Sequence, residues 1–331
     1  MARKPSEGLS FEDLLKELRS YLAEVSGDSE VTRTIRQLQA AQARVQGVTT
    51  PESTGTRTGA QAGDPDGVVS GPSDDMKQAK HVVGKLLPSE PPHVPGFDIA
   101  HYTRPCLEVG GDYLDYLNLP QDRVAIAIAD VAGKGFSAAI MMAMLREVLH
   151  IVGAKEPTPA RAVATTNRLL KPDMQPGMFV TMLYGVLNPA TRELTLVNAG
   201  HCPPIIWRPR LTGARVLDLR GPAIGLLNPD QFAKGIQQKT LALEPGDCLC
   251  FFTDGISEAK DLLGEEFGGQ RLAQVLRDHA GQPAQEIANA IMAAVDEHTK
   301  GAAQHDDITL MILRVSPDGA PTAPPADIGS T

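Results

Sequence analysis

Apolar residues along the first 45 positions recur with helical period. Ser10 stands where it caps a helix, with Asp13 in the first turn, and Phe11, Leu14, Leu15, Leu18 and Leu22 form one stripe. Gly27-Asp28 interrupts it, and a second stripe follows at Val31, Ile35, Leu38 and Val45. A heptad seam through that stripe puts polar Gln42 in a core position. Residues 1–48 are thus expected to be a helical segment. A hairpin closing on itself and a coiled-coil dimer or partner-docking element both remain open, and the polar interruption favours the hairpin. Residues 49–74 hold 16 Gly, Pro, Ser or Thr out of 26, a composition too poor in apolar surface to offset chain entropy, and are expected to form a disordered linker. Asp75 to Leu87 carries Met76, Val83, Leu86 and Leu87 at helical spacing, ended by Pro88, Pro91, Pro92 and Pro95. The 75–90 segment is expected to be a regulatory or linker helix.

From Phe97 the texture changes to alternating strands and helices. VAIAIAD (124–130) is apolar on both faces and ends in an acid, and a helical stripe follows at Ala138, Met141, Met142, Leu145, Val148, Leu149 and Val152. Residues 179–187 and 193–198 flank the Asn188–Arg192 turn and predict a hairpin. Further strands fit 204–207, 215–219, 236–243, 248–253 and 308–315, with a tight turn at Glu244–Asp247 and helices over 270–279 and 283–298. Hairpin-joined strands with separate helices indicate an α+β layered domain over 91–316, not a doubly wound parallel sheet. The Pro/Ala/Gly-rich tail, 317–331, is expected to be disordered.

Composition narrows the function classes. Apolar residues make up 42% and charged residues 21%, the profile of a globular domain. Thirty-one basic against 40 acidic residues, a net charge of −9, disfavour a nucleic-acid partner. No run of about 18 apolar residues and no secretory signal are visible, so no membrane span and a cytoplasmic location are expected. Cys106, Cys202, Cys248 and Cys250 form no CxxC pair and read as reduced thiols.

The chemistry lies in aspartates recurring at strand ends: Asp112, Asp130, Asp254 beside Gly255, and the Asp306-Asp307 pair. Any one of them alone is a turn or cap residue. Brought together they repel, by ~4 kcal/mol for a pair ~4 Å apart at an effective dielectric of ~20. Such a cluster persists by protonation or by binding cations. All-oxygen ligands favour magnesium or manganese over zinc, and the number of acids suggests two ions. Lys134, between two glycines, is balanced between facing a phosphate and a solvated turn. His201 reads as a turn or supporting residue, and His305 as solvent-facing.

In order along the chain, Glu108-Val-Gly-Gly-Asp112-Tyr-Leu-Asp115, Asp130-Val-Ala-Gly-Lys-Gly135, Phe179–Gly185, Asn198-Ala-Gly-His201, Glu244–Asp247, Thr253-Asp254-Gly255 and Asp306-Asp307-Ile-Thr309 resemble the bacterial SpoIIE/RsbU branch of the metal-dependent, protein phosphatase 2C-like serine/threonine phosphatases. The resemblance extends over roughly residues 83–315. It implies a four-layer α-β-β-α sandwich with a two-metal site at one end of the sheets, filled by Mn²⁺ or Mg²⁺. Carried over, Asp130 bridges both ions, the Val131 carbonyl ligates one, Asp254 and Asp306 complete a shell, and Asp112 binds the second ion directly or through water. Asp307 then stands behind the ligands. The order of the doublet, and so whether Asp306 or Asp307 is the direct ligand, stays open. Val131-Ala132 replace the Gly-His of eukaryotic relatives, and their phosphate-binding arginine has no clear counterpart near Leu107. The resemblance implies a phosphorylated protein substrate, an anti-sigma-factor antagonist in a partner-switching pathway, with an activator protein or self-dimerisation through the N-terminal helices. The alternative is a catalytically weak or inactive phosphatase-fold binding module, and a metal-dependent nuclease is more distant given the acidic charge.

Overall fold

The computed structural model describes residues 86–317, apart from Glu108, Val109, Lys134 and Thr212. The described residues all fall in one of the two units into which the chain divides, Val83–Thr331. The N-terminal helical segment, the linker, the tail beyond residue 317 and Lys134 all lie outside the described residues. Of the expected 75–90 helix only residues 86–90 are described, and there the backbone turns and bends on the way into Pro88.

Among the described residues ten strands form two five-stranded sheets in which every strand pairing is antiparallel. In chain order the elements begin with β1 (Phe97–Arg104), β2 (Tyr113–Leu119), β3 (Arg123–Val131), α1 (Phe136–Lys155) and α2 (Pro159–Leu170). The chain continues through β4 (Val180–Asn188), β5 (Glu193–Ala199), β6 (Ile205–Trp207), β7 (Arg215–Val216), α3 (Pro229–Gly235) and β8 (Gln238–Ala242). It closes with β9 (Cys248–Phe252), α4 (Asp254–Ser257), α5 (Gly268–His279), α6 (Ala284–His298) and β10 (Ile308–Val315). One sheet runs β1-β10-β9-β6-β7 and the other β2-β3-β4-β5-β8. Helices α5 and α6 cover the first, and α1 and α2 cover the second. This is the four-layer sandwich that the resemblance implied.

Period-two alternation builds the layers. On β9, Leu249 and Phe251 join the core between the sheets, whereas Cys248, Cys250 and Phe252 face α5 and α6. On β10, Met311, Leu313 and Val315 point inward, and Leu310 and Ile312 point to the helices. On β3, Val124, Ile126 and Ile128 belong to the inter-sheet core, leaving Ala125, Ala127 and Ala129 on the opposite face, fully buried, where small side chains let α1 approach.

Five elements were not anticipated from the hydrophobic pattern, the four-residue helix α4 among them. Strand β1 mixes His101 and Thr103 with its apolar positions, and α2 buries Thr166 and Asn167 in the face that would otherwise read as an apolar stripe. Strand β2 and the seven-residue helix α3 went unread as well. The strand expected over 215–219 shrinks to Arg215–Val216, both exposed, while Leu217 and Leu219 beyond it still pack on the inter-sheet core. The expected turn at Glu244–Asp247 forms, with the Glu244 amide donating to Asp247 Oδ2 at 2.9 Å. Helix α1 is, among the described residues, long and apolar enough to cross a membrane by length and composition, over Ser137–Lys155. It packs on β2, β3 and α2 as a core helix, which accounts for its apolarity.

The N-cap of α6 is Pro283, which offers no capping side chain. Asp98 on β1 substitutes, its Oδ2 accepting the Ala284 amide at 2.7 Å and so fastening the helix layer to the sheet. Asp98→Ala should lower stability by about 1 kcal/mol, a fall of roughly 2–4 °C in melting temperature by calorimetry.

Candidate active site

The same alternation that builds the inter-sheet core delivers acids to its end. Counting along β3 from Ile126 and Ile128, Asp130 falls on the inward face. Asp112 precedes β2 with the parity of inward Leu114, and the Tyr113–Ala129 pairing makes Asp112 and Asp130 neighbours on the next rung. In the other sheet, Thr253 continues the inward row of Leu249 and Phe251, and Thr309 that of Met311 and Leu313.

These two rows meet on one atom. Thr253 Oγ1 donates to Asp112 Oδ2 at 2.9 Å and Thr309 Oγ1 donates to the same oxygen at 2.6 Å. The threonines are themselves locked together: the Thr253 amide donates to the Thr309 carbonyl at 3.0 Å, and the Thr309 amide to Thr253 Oγ1 at 3.0 Å. Both threonines are fully buried and Asp112 is 9% exposed. Charge-assisted bonds from two buried hydroxyls fix the carboxylate's orientation.

Asp307 acts on backbone. Its Oδ1 accepts the Cys106 amide and its Oδ2 the Gly111 amide, each at 2.7 Å, so it stitches down the loop that presents Asp112. A Cβ on Gly110 would stand 2.6 Å from Asp307 Oδ2, so only glycine passes there. Asp306 accepts the Asp307 amide at 3.0 Å and lines a cavity together with Gly255. Thr253 stands at the N-terminal boundary of α4, whose first residue is Asp254, but its hydroxyl makes no capping bond there and is spent on Asp112. A Cβ on Gly255 would lie 1.9 Å from the Asp307 carbonyl oxygen, so the close seating of the Thr253-Asp254-Gly255 turn on the Asp306-Asp307 strand entry requires glycine. Val131 ends β3, buried, with its amide donating to the Gly111 carbonyl at 3.4 Å.

Electrostatics tie these groups into one neighbourhood. Burial holds the Asp112 carboxyl well above the usual carboxylate range, against the two threonine hydroxyls, and the charges of Asp130 and Asp307 push it further up. The Cys202 thiol is pushed up to about 12 by burial and by the charges of Asp254, Glu258, Asp130 and Asp112. Glu258 is raised by burial first, then by Asp254, with Asp306 contributing. Among the described residues no three His, Cys, Asp or Glu side chains already surround a single point as a closed ligand set. The donor chemistry nevertheless fits a hard divalent cation: the groups that converge are carboxylate oxygens, and their mutual repulsion at Asp112 is of the kind that a cation relieves.

Asp115, in the same motif as Asp112, points the other way. Its Oδ2 accepts Tyr113 Oη at 2.9 Å, lies 2.7 Å from His150 Nε2, and stands 3.6 Å from Arg146 Nε, tying β2 to α1. His201 is buried; Thr181 Oγ1 lies 2.9 Å from its Nδ1, and its backbone is held by Asn198. His305 is exposed at the cavity rim. The residues that sequence reasoning missed are Thr253 and Thr309. Their signal was a threonine within two residues of an acid in both motifs, unreadable until the two strands are paired.

A family model described as Stage II sporulation protein E (SpoIIE) matches residues 120–316. The phosphoserine phosphatase RsbU of Bacillus subtilis (strain 168) is 28% identical over 240 residues, 72% of this chain and 70% of that protein. The phosphoserine phosphatase RsbP of the same organism is 25% identical over 219 residues, 65% of this chain and 51% of that protein. Among solved structures, the RsbU and RsbW domains of a Mycobacterium tuberculosis protein superpose with a TM-score of 0.60 at 26% identity, covering 72% of this chain and 64% of that one. The SiaA-PP2C domain of Pseudomonas aeruginosa superposes with a TM-score of 0.61 at 24% identity, covering 73% and 96%.

Desolvation lowers the His201 imidazole to about 4; the nearby Phe252 carbonyl favours the charged form but does not reach hydrogen-bond geometry, and Nε2 has no partner. The unfolded chain therefore binds a proton that the folded chain refuses as pH falls from about 6.5 towards 4. Stability should drop across that window by up to ~1.4 kcal/mol per pH unit. Denaturant titrations at stepped pH should show this slope in the wild type and a slope shallower by about one proton in His201→Gln.

Proposed function

The chain belongs to the SpoIIE family, and from that premise we propose that it is a protein-serine/threonine phosphatase that depends on two divalent cations, Mn²⁺ or Mg²⁺. The observation that supports the metal-dependent reading is Asp112, gripped by Thr253 and Thr309 and pushed by the charge of Asp130, with the charges of Asp254 and Asp306 felt at Cys202 and Glu258 nearby. Asp130 and Asp254 would hold the ions with Asp306 and the Val131 carbonyl, and Asp112 would complete the second position. When bound, the ions neutralise the dianionic ester and lower the pKa of an attacking water.

The chain's own residues set the geometry for that chemistry. The threonine pair fixes which Asp112 oxygen is turned away from the site and which remains for it. Asp307 keeps the 105–111 loop seated by its two backbone bonds. Gly255 lets the Asp254 turn pack directly on the Asp306-Asp307 backbone, so that two acids from separate strand ends share one edge. Val131-Ala132 stand where eukaryotic relatives carry Gly-His, and His201, buried and held neutral, is no substitute as a proton donor in contact with solvent. Departure of the serine or threonine oxygen therefore relies on charge neutralisation and solvent.

The substrate is proposed to be a phosphorylated regulator of a partner-switching pathway, as the likeness to RsbU and RsbP suggests. Four free cysteines fit a reducing, cytoplasmic compartment. With Mn²⁺, the wild type should release phosphate from para-nitrophenyl phosphate and from a phosphoserine protein, and chelation should stop it. Asp130→Asn and Asp254→Asn should each cut turnover at least roughly 100-fold while circular dichroism shows an unchanged fold. Wild-type-like turnover in either purified variant would remove the ligand assignment.

A further inference from the structure

Beside the acid end lies a cavity of about 320 Å³, lined among others by Gly255, Asp306, Arg104, Asp296, His305 and Lys260. Lys260 opens a loop that runs to Glu266 and closes on itself through the Lys260–Glu266 bridge. At its tip Leu262 is 73% exposed and Leu263 92% exposed, side chains that a folded domain ordinarily hides.

The loop is held rigidly in the shape that exposes them. Asp261 Oδ1 accepts the amides of Leu263 and Glu265, each at 2.8 Å, and the Asp261 amide donates to the Glu265 carbonyl at 3.0 Å. His298 Nε2 lies 2.9 Å from the Glu265 carbonyl oxygen and its ring packs edge-on to Phe267 at 5.6 Å. Arg271 donates to the Glu266 carbonyl at 2.8 Å and pairs with the Glu265 carboxylate. A preorganised apolar tip costs little ordering entropy on binding. Around it stand Glu258, Asp261, Glu265 and Glu266, offset only in part by Lys260 and Arg271, while Arg104 in the cavity wall is paired with Asp296, so the rim is acidic.

We propose that this loop and the cavity at its base are the docking surface for the phosphoprotein substrate, receiving an apolar segment flanked by Lys or Arg next to the phosphorylated residue. The proposal rests on the phosphatase reading. Continuity with the acid end selects this occupant, because Asp306 and Gly255 belong both to the cavity and to the candidate site. The acidic rim selects the cations, and the two leucines select the apolar residues.

The test compares the Mn²⁺-loaded full chain with a Leu262→Ser/Leu263→Ser variant and a Leu263→Ser variant, on para-nitrophenyl phosphate and on two phosphoserine peptides of equal length. One peptide carries Leu and Lys on both flanks, the other Ala and Glu. The wild type should prefer the Leu/Lys peptide by about tenfold in kcat/KM, through KM. Both variants should lose that preference, the single one in part, with para-nitrophenyl phosphate hydrolysis unchanged. Hydrolysis of para-nitrophenyl phosphate with no flank preference in the wild type, or a preference that survives the double substitution, would overturn the docking surface alone. So would self-association that the double variant abolishes while peptide kinetics stay the same, which would make the loop a contact between copies. Failure of the wild type on all three substrates would overturn the phosphatase reading, and the docking surface with it.

Discussion

Two threonine hydroxyls converging on a single carboxylate oxygen join the ends of two sheets whose facing surfaces pack mainly through apolar side chains. Thr253 and Thr309 belong to neighbouring strands of one sheet, and Asp112 introduces the first strand of the other. Burying a carboxylate at this depth costs free energy unless its oxygens are satisfied, and the threonines satisfy one of them. The rest of the site follows from that junction. Asp130 is brought beside Asp112 by the β2–β3 register, Asp254 directly follows Thr253, and Asp306 lies on the chain's approach to Thr309. The sandwich places its apolar contacts along its length and its acids at one end.

This arrangement explains why small residues crowd the site. Gly110, Gly111 and Gly255 each sit where a Cβ would press on Asp307 or on the Val131 carbonyl. Backbone approaches at those distances allow loops from four strand ends to share one edge. The cost appears in the Asp112 carboxyl, held above its ordinary range by burial and by neighbouring acids, a tension that a bound cation would relieve. Asp115 shows the opposite use of an acid: three residues from Asp112, it turns to the helix layer and satisfies itself on Tyr113, the Tyr116 amide and His150.

Much of this was legible from residue order. The continuous apolar runs of β3, β9 and β10 announced buried strands, and the acids at their ends marked the candidate site, because a strand that is apolar on both faces can place a charge only where it emerges. Much of what stayed hidden depends on long-range pairing. The bonds from Thr253 and Thr309 to Asp112 span 141 and 197 residues, and no local pattern foretells them. Helix α2 was obscured because Thr166 and Asn167 serve as buried polar groups, Thr166 bonding the Ala162 carbonyl and Asn167 the Gly225 amide. Strand β1 was obscured by His101, whose imidazole lies 3.2 Å from Tyr116 Oη on the other sheet.

The central claim is that the acids at this end of the sandwich form one cation site oriented by the threonine pair. Crystals grown with Mn²⁺ and measured at the manganese absorption edge test it most directly. The account predicts anomalous peaks among Asp112, Asp130, Asp254 and Asp306, with Thr253 and Thr309 still bonded to Asp112. Peaks elsewhere on the molecule, or none in this cleft at saturating Mn²⁺, would contradict it.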